Sequence, residues 1–317
     1  MMLSTKNYMK KILIVLVISL LFAECVSSQR SARWRRMRYE VVYGIGATNF
    51  LGELGGANRV GTNFVRDLEY VVTRPLASIG MRYKLREELS LKVAFTGGYL
   101  KGDDKLTAEM YRNNRNLNFR SLIIEFGSQI EYSVIKEKIG HRYNLRRVRG
   151  VRGFKTNTYF FIGLAGFYHN PQGQYIDGNW YALQPLGTEG QGLVPTRKKY
   201  SRIQLSIPYG IGFKYGLDRK WSLGLEFGIR KTFTDYMDDV STTYYDYNAI
   251  KETDGGDIAA YFSDPSIGRW DGVTNYQDRW TNANGQRGDA KDKDVYMFVI
   301  LNLTYKLRTT RKGLPKF

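Results

Sequence analysis

Few residues in this chain could do acid–base or metal chemistry. Asp103-Asp104 and Asp238-Asp239 form two acidic pairs, and Asp235 and Asp246 lie near the second. Paired carboxylates can activate water for hydrolysis, and clustered ones can hold calcium. Against both readings, sequence neighbours in extended chain point apart, and acidic loops are usually solvated. His141 and His169 are the two imidazoles. The expected barrel topology puts them on opposite sides of a membrane, so neither a Ser-His-acid triad nor a metal cluster can use both. The one cysteine, Cys25, falls in an expected export signal, which leaves no thiolate for zinc or nucleophilic attack and no internal disulfide. The expectation is a protein with no catalytic residue, no cofactor and no metal.

The elements that would position any site are strands. Ile203, Leu205, Ile207, Tyr209, Ile211, Phe213 and Tyr215 alternate with Gln204, Ser206, Pro208, Gly210, Gly212 and Lys214. A side-chain period of two places the first set on one face and the small or polar set on the other. Similar alternation runs over 39–48, 75–85, 89–96, 117–133, 158–168, 221–230 and 294–307, with 158–168 apolar on both faces. In the last of these, Val295, Met297, Val299, Leu301, Leu303 and Tyr305 are expected to face out. The pattern predicts an all-β fold: an eight-stranded antiparallel transmembrane β-barrel spanning 39–308. A mean hydropathy of −0.41 excludes a helical membrane bundle, and 24 Tyr suit interfacial aromatic girdles.

Tight turns are expected at 86–88 and 217–219, and long connections at about 49–74, 100–116, 169–200 and 235–293. Outer-membrane barrels keep short turns in the periplasm and long loops outside, which predicts periplasmic termini. Eight strands enclose a narrow lumen that side chains fill, so inward Arg82, Lys92, Glu125, Glu131, Glu226 and Arg230 are expected to pair as a packed polar core. The outer loops are rich in Tyr and Trp, notably Trp180, Trp270 and Trp280. They either bind carbohydrate or protein or pack against one another. Segments 254–257 and 282–285 read as mobile.

Residues 1–28 read as a signal peptide, with Lys6, Lys10 and Lys11 ahead of an apolar run from Ile12 to Phe22. A lipoprotein signal acylated at Cys25 is the rival, opposed by the bulky charged Glu24 before it. A formal net charge of +18 in a soluble protein would suggest nucleic acid; in an exported barrel it points to anionic headgroups or an acidic protein partner instead. The basic residues gather in three places. A periplasmic arm, 29–38, holds Arg33, Arg35 and Arg36; the connection 134–156 holds Arg142, Arg146, Arg147, Arg149 and Arg152; and a tail, 309–317, holds Arg311 and Lys312. If the topology holds, all three converge on the periplasmic rim, either as a lipid-headgroup contact or as a docking surface.

Five segments in order carry a family resemblance: 50–56 (FLGELGG), Gly102-Asp103-Asp104, 115–121 (RNLNFRS), 180–192 (WYALQPLGTEGQG, with Trp180, Gln184, Gly187 and Glu189) and 235–244 (DYMDDVSTTY, with Asp235, Asp238 and Asp239). Together they resemble the PorG-like outer-membrane barrels of Bacteroidota, associated with the type IX secretion system. The resemblance implies a non-enzymatic integral outer-membrane component that contacts a periplasmic ring built from a lipoprotein and its partner. Such machines export proteins and, in some relatives, support gliding motility. No family role is carried onto the basic insertion at 142–154 or onto the N-terminal arm. A surface receptor or adhesin using the aromatic loops, and less plausibly a barrel hydrolase, are the alternatives.

Overall fold

A computed structural model describes residues 34–52, 54, 70–107, 110–137, 155–267, 281–290, 292–310 and 314–316. The expected signal peptide, Arg33, the cluster Arg142 to Arg152, His141, Trp270, Trp280, Arg311 and Lys312 lie outside the described residues. The chain divides into two compact units, Met1–Arg36 and Met37–Phe317. In the first, Trp34–Arg36 makes one 3-10 turn, with the Arg35 guanidinium over the Trp34 ring at 5.7 Å.

The second unit is a closed antiparallel barrel. Its strands are β1 (Tyr39–Leu51), β2 (Arg74–Lys84), β3 (Leu89–Asp103), β4 (Asn118–Ile135), β5 (Thr156–Gln174), β7 (Ile203–Gly216), β8 (Trp221–Thr232) and β9 (Val295–Thr309). They pair in that order, and β9 closes back onto β1 from Tyr39 opposite Leu307 to Leu51 opposite Val295. A short β6 (Trp180–Ala182) folds back antiparallel beside the end of β5, and β10 (Pro315–Lys316) returns along the end of β9. Closure satisfies the backbone donors and acceptors that an open sheet would expose to lipid. Pairing of β5 with β7 lapses between Ile162–Tyr209 and Ala165–Ser206, where Pro208 has no N–H to give.

The wall is apolar outside. Ile45, Phe126, Leu164, Ile203 and Leu205 are each more than 60 % exposed, while Glu40, Arg82 and Glu226 are buried inside. This inversion of a soluble protein's pattern is what a bilayer demands of a barrel. The described residues include no helix long and apolar enough to cross a membrane. The other seven strands keep the expected parity; in β5, whose sequence is apolar on both faces, Phe160, Ile162 and Leu164 face out and Tyr159, Phe161 and Phe167 face in. Three residues near strand ends depart: Asn49, Met297 and Leu307 have outward parity yet are buried.

The lumen is filled in two zones. Toward the tight turns, Arg82 reaches Glu131 (2.6 Å) and Glu40 (2.9 Å), Lys214 reaches Glu40 (3.0 Å) and Lys92 reaches Glu226 (2.8 Å). The Tyr159 hydroxyl donates to Glu226 at 3.0 Å, and that of Tyr296 donates to Glu125 at 2.6 Å. Salt-bridged and hydrogen-bonded this way, the charges tolerate burial. Toward the long loops the expected polar core gives way to an apolar one. There Phe50, Leu100, Phe119, Ile123, Phe167 and Phe298 point inward, and Leu54, Met237 and Val240 descend from the loops onto them. β1, β3 and β5 run further than the alternation indicated, so the first three long connections begin later, and the connections carry structure of their own.

Candidate functional site

Four connections meet over the apolar half of the lumen and are knit by buried charge. The central residue is Glu189, fully buried after the short helix α2 (Leu183–Leu186). Its carboxylate accepts from the Ser241 N–H (2.9 Å), the Thr242 hydroxyl (2.7 Å), the Tyr236 hydroxyl (3.2 Å) and Arg287 Nη1 (3.0 Å). Arg287, also buried, donates further to the carbonyls of Asp239 (2.7 Å) and Phe262 (3.2 Å). Its own carbonyl accepts from Arg115 Nη1 at 2.7 Å. Arg115 closes helix α1 (Met110–Arg115) and grips Asp104 with two bonds of 2.8 and 3.0 Å, the bidentate geometry that makes arginine–carboxylate pairs strong.

Three of these four carboxylates, Asp104, Asp238 and Asp239, are thus buried, and Asp103 is part-exposed. Asp103 caps a turn by accepting from the Lys105 N–H, while Asp104 is buried against Arg115. Asp238 accepts from the backbone N–H of Leu54 (3.2 Å) and Val240 (3.1 Å). Asp239 accepts from the hydroxyls of Thr188 (2.5 Å) and Tyr200 (2.7 Å), and its backbone sits at φ 68°. Left-handed backbone is uncommon outside glycine, and asparagine and aspartate tolerate it best. Asp235 accepts from Ser241 Oγ at 2.7 Å. Burial pushes Asp238 up to about 7 and Asp239 up to about 6, the latter against the pull of Arg287. Burial likewise raises Asp235 to about 6. Buried carboxyls poised near neutrality are functional candidates, but here each is occupied by an internal donor. No group of three or more His, Cys, Asp or Glu that could hold a metal occurs among the described residues.

The remaining motif residues support this cap. Gln184 donates to the Tyr200 carbonyl at 3.0 Å. Gly187 ends α2 at φ 63°, and Gly190, at φ 78°, lies so close under Tyr245 that a Cβ would stand 2.6 Å from its ring. Gly102 lies beneath the Leu54 carbonyl and against the Phe119 ring. Trp180 stands apart on the outer side, under the Arg120 guanidinium at 4.2 Å. Tyr175, Tyr181, Tyr261 and Phe262 form a second apolar cluster, so these loop aromatics do pack against one another. The two segments read as mobile are built in. Residues 254–257 lead into helix α4 (Gly256–Ser263), which follows α3 (Tyr247–Lys251), and 282–285 bond to the Tyr244 backbone in both directions at 2.9 Å. The residue that sequence reading missed is Arg287, a lone arginine in a polar stretch with no local signal of its role.

At the other end the described rim is basic. Arg86, Lys155, Arg219, Lys220 and Arg308 are exposed there beside Asp218. Of the proposed docking set, Arg35 and Arg36 are described and exposed, in the first unit.

No curated protein matches this chain. Among solved structures it is similar to Ail, the attachment invasion locus protein of Yersinia pestis, with 8 % identity over 85 % of this chain and 99 % of that one and a TM-score of 0.34. It is also similar to neisserial surface protein A, with 8 % identity over 84 % and 96 % and a TM-score of 0.34. The outer-membrane protein AlkL shares 10 % identity over 90 % and 96 %, with a TM-score of 0.32. The model of the family described as a domain of unknown function (DUF6089) matches residues 11–259, and this outer-membrane-type barrel belongs to that family.

Proposed function

We propose that this chain is a non-enzymatic outer-membrane component of the type IX secretion machinery that docks a periplasmic ring, a lipoprotein and its partner, against the membrane. The observation that carries this reading is the filled interior. Ion pairs occupy one half of the lumen, apolar side chains the other, and a knit cap covers the loop end. A barrel so packed works through its rims and wall rather than through a bore. The basic short-turn rim supports docking of an acidic partner, with that rim and both termini in the periplasm. The internal engagement of Asp104, Asp238 and Asp239 supports the absence of catalysis.

The test is extraction in mild detergent with a tagged copy and identification of what co-purifies. Rim charges govern on-rate and salt sensitivity more than affinity. Reversal of Arg146, Arg147, Arg149 and Arg152 to Glu is expected to weaken recovery of the ring at low salt, and undiminished recovery rejects this surface. A receptor or adhesin is the second reading, favoured by the ordered loop cap. It predicts that surface substitutions in α3 and α4 abolish ligand binding and leave secretion intact.

A further inference from the structure

The outer wall over β3, β4 and β5 changes character row by row. Register sets Phe95 beside Phe126, then Gly97 beside Ile124, then Tyr99 beside Leu122, then Lys101 beside Arg120. On β5 the same rows continue with Tyr168, Asn170 and Gln172. All share the outward parity, so the surface passes from apolar through aromatic to cationic within a few residues. This is the sequence of environments at a bilayer face, hydrocarbon below and headgroups above. A cavity of about 530 Å³ opens at that level, lined among others by Arg74, Tyr99, Lys101, Arg120, Tyr168 and Trp180.

Like charges directly opposite on neighbouring strands repel, and Lys101 and Arg120 are so placed. Asp103 reaches Lys101 only at 3.9 Å. Arg120 is held by uncharged groups: its Nε donates to Gln172 Oε1 at 3.1 Å, and its face lies on Trp180. Arg74 donates to the carbonyls of Val71 and Thr73 at 3.2 and 2.8 Å. Two of the three cations around the cavity, Arg120 and Arg74, are therefore oriented by neutral partners, and the third, Lys101, has a long ion pair with Asp103. Below them Gly97 leaves the wall open, since a Cβ there would meet nothing within 4 Å.

We propose that this cavity is a binding site for the phosphate headgroup of an anionic lipid from the leaflet around the long-loop end. Lys101, Arg120 and Arg74 contact the phosphate, and the acyl chains descend past Tyr99, Leu122 and Gly97. A soluble phosphate would meet the same cations without the apolar rows. The proposal is independent of the docking reading.

The test is native mass spectrometry of the full chain released from phosphatidylcholine nanodiscs carrying a minor fraction of phosphatidylglycerol. Wild type is expected to retain the anionic lipid selectively, and excess inorganic phosphate is expected not to displace it. Lys101→Gln with Arg120→Gln should lower retention at least about tenfold, as loss of two charge-assisted contacts implies. Folding of each variant is checked by heat-modifiable gel mobility. Should the double variant fail to fold, Arg74→Gln, at the start of β2, is expected to lower retention severalfold on its own. Equal retention of both lipids by wild type, undiminished retention by a folded variant, or full displacement by inorganic phosphate would overturn the proposal.

Discussion

Replacing Arg287 with Met removes the donor that ties the connection holding Glu189 to two points of the last long connection. The side chain gives hydrogen bonds to Glu189, to the Asp239 carbonyl and to the Phe262 carbonyl. Removing one partner of a buried ion pair costs about 3–5 kcal/mol, because the other charge is left in a dry site. Here the lower end applies, since Glu189 keeps the Ser241, Thr242 and Tyr236 donors. About 3 kcal/mol corresponds to roughly two orders of magnitude in the population of the opened cap. Hydrogen exchange followed by mass spectrometry should show that loss of protection in peptides over 187–192 and 235–244, with β7 and β8 unchanged. Adding Glu189→Gln should recover part of it, with a coupling of about 1–3 kcal/mol for a pair in one network. Less than a tenfold change in the cap, or an equal change in the strands, would refute the assignment of Glu189 and Arg287 as its centre.

Asp238 ionises at about 7 in the folded protein, above its ordinary 3.8, because it is buried. The folded state therefore holds the proton more tightly, and cap stability should rise as pH falls from about 7 toward about 4. Asp235 and Asp239 act in the same direction. Asp238→Asn should flatten most of that dependence in a protease-resistance profile, and an unchanged slope would count against it. Arg82→Met strips partners from Glu40 and Glu131 and should lower the heat-modification midpoint, with a loss of about 3–5 kcal/mol. Gly190→Ala forces a Cβ against Tyr245 at φ 78° and should loosen the 187–192 segment, measured by exchange as above.

The strands were legible because lipid outside and a filled lumen inside impose the same two-residue period on each. β5 hid its register, since both faces are apolar, and the resolution lies on other strands. Tyr159 packs over Gly212 and Phe161 over Gly210 and Gly228, so inward aromatics are matched by missing side chains on the next strand and the one beyond. The cap was legible only as a set of motifs. Its bonds join Leu54 to Asp238 and Glu189 to Arg287, across 184 and 98 positions, and no local pattern encodes such partners. Asp103-Asp104 looked like surface acid because sequence neighbours share composition, while structure sends one outward and the other against Arg115.

The lumenal ion pairs also constrain how the molecule is made. Glu40 comes from the first strand, Lys214 from the sixth around the ring, and Arg82 and Glu131 from between. Arg82 stands opposite Glu40 on the neighbouring strand, but Lys214 reaches Glu40 only across the closed ring, and a half-curled sheet would leave Lys214 without that partner. Seam formation and neutralisation of that charge are then one event, which disfavours partly inserted intermediates and makes assembly all-or-none.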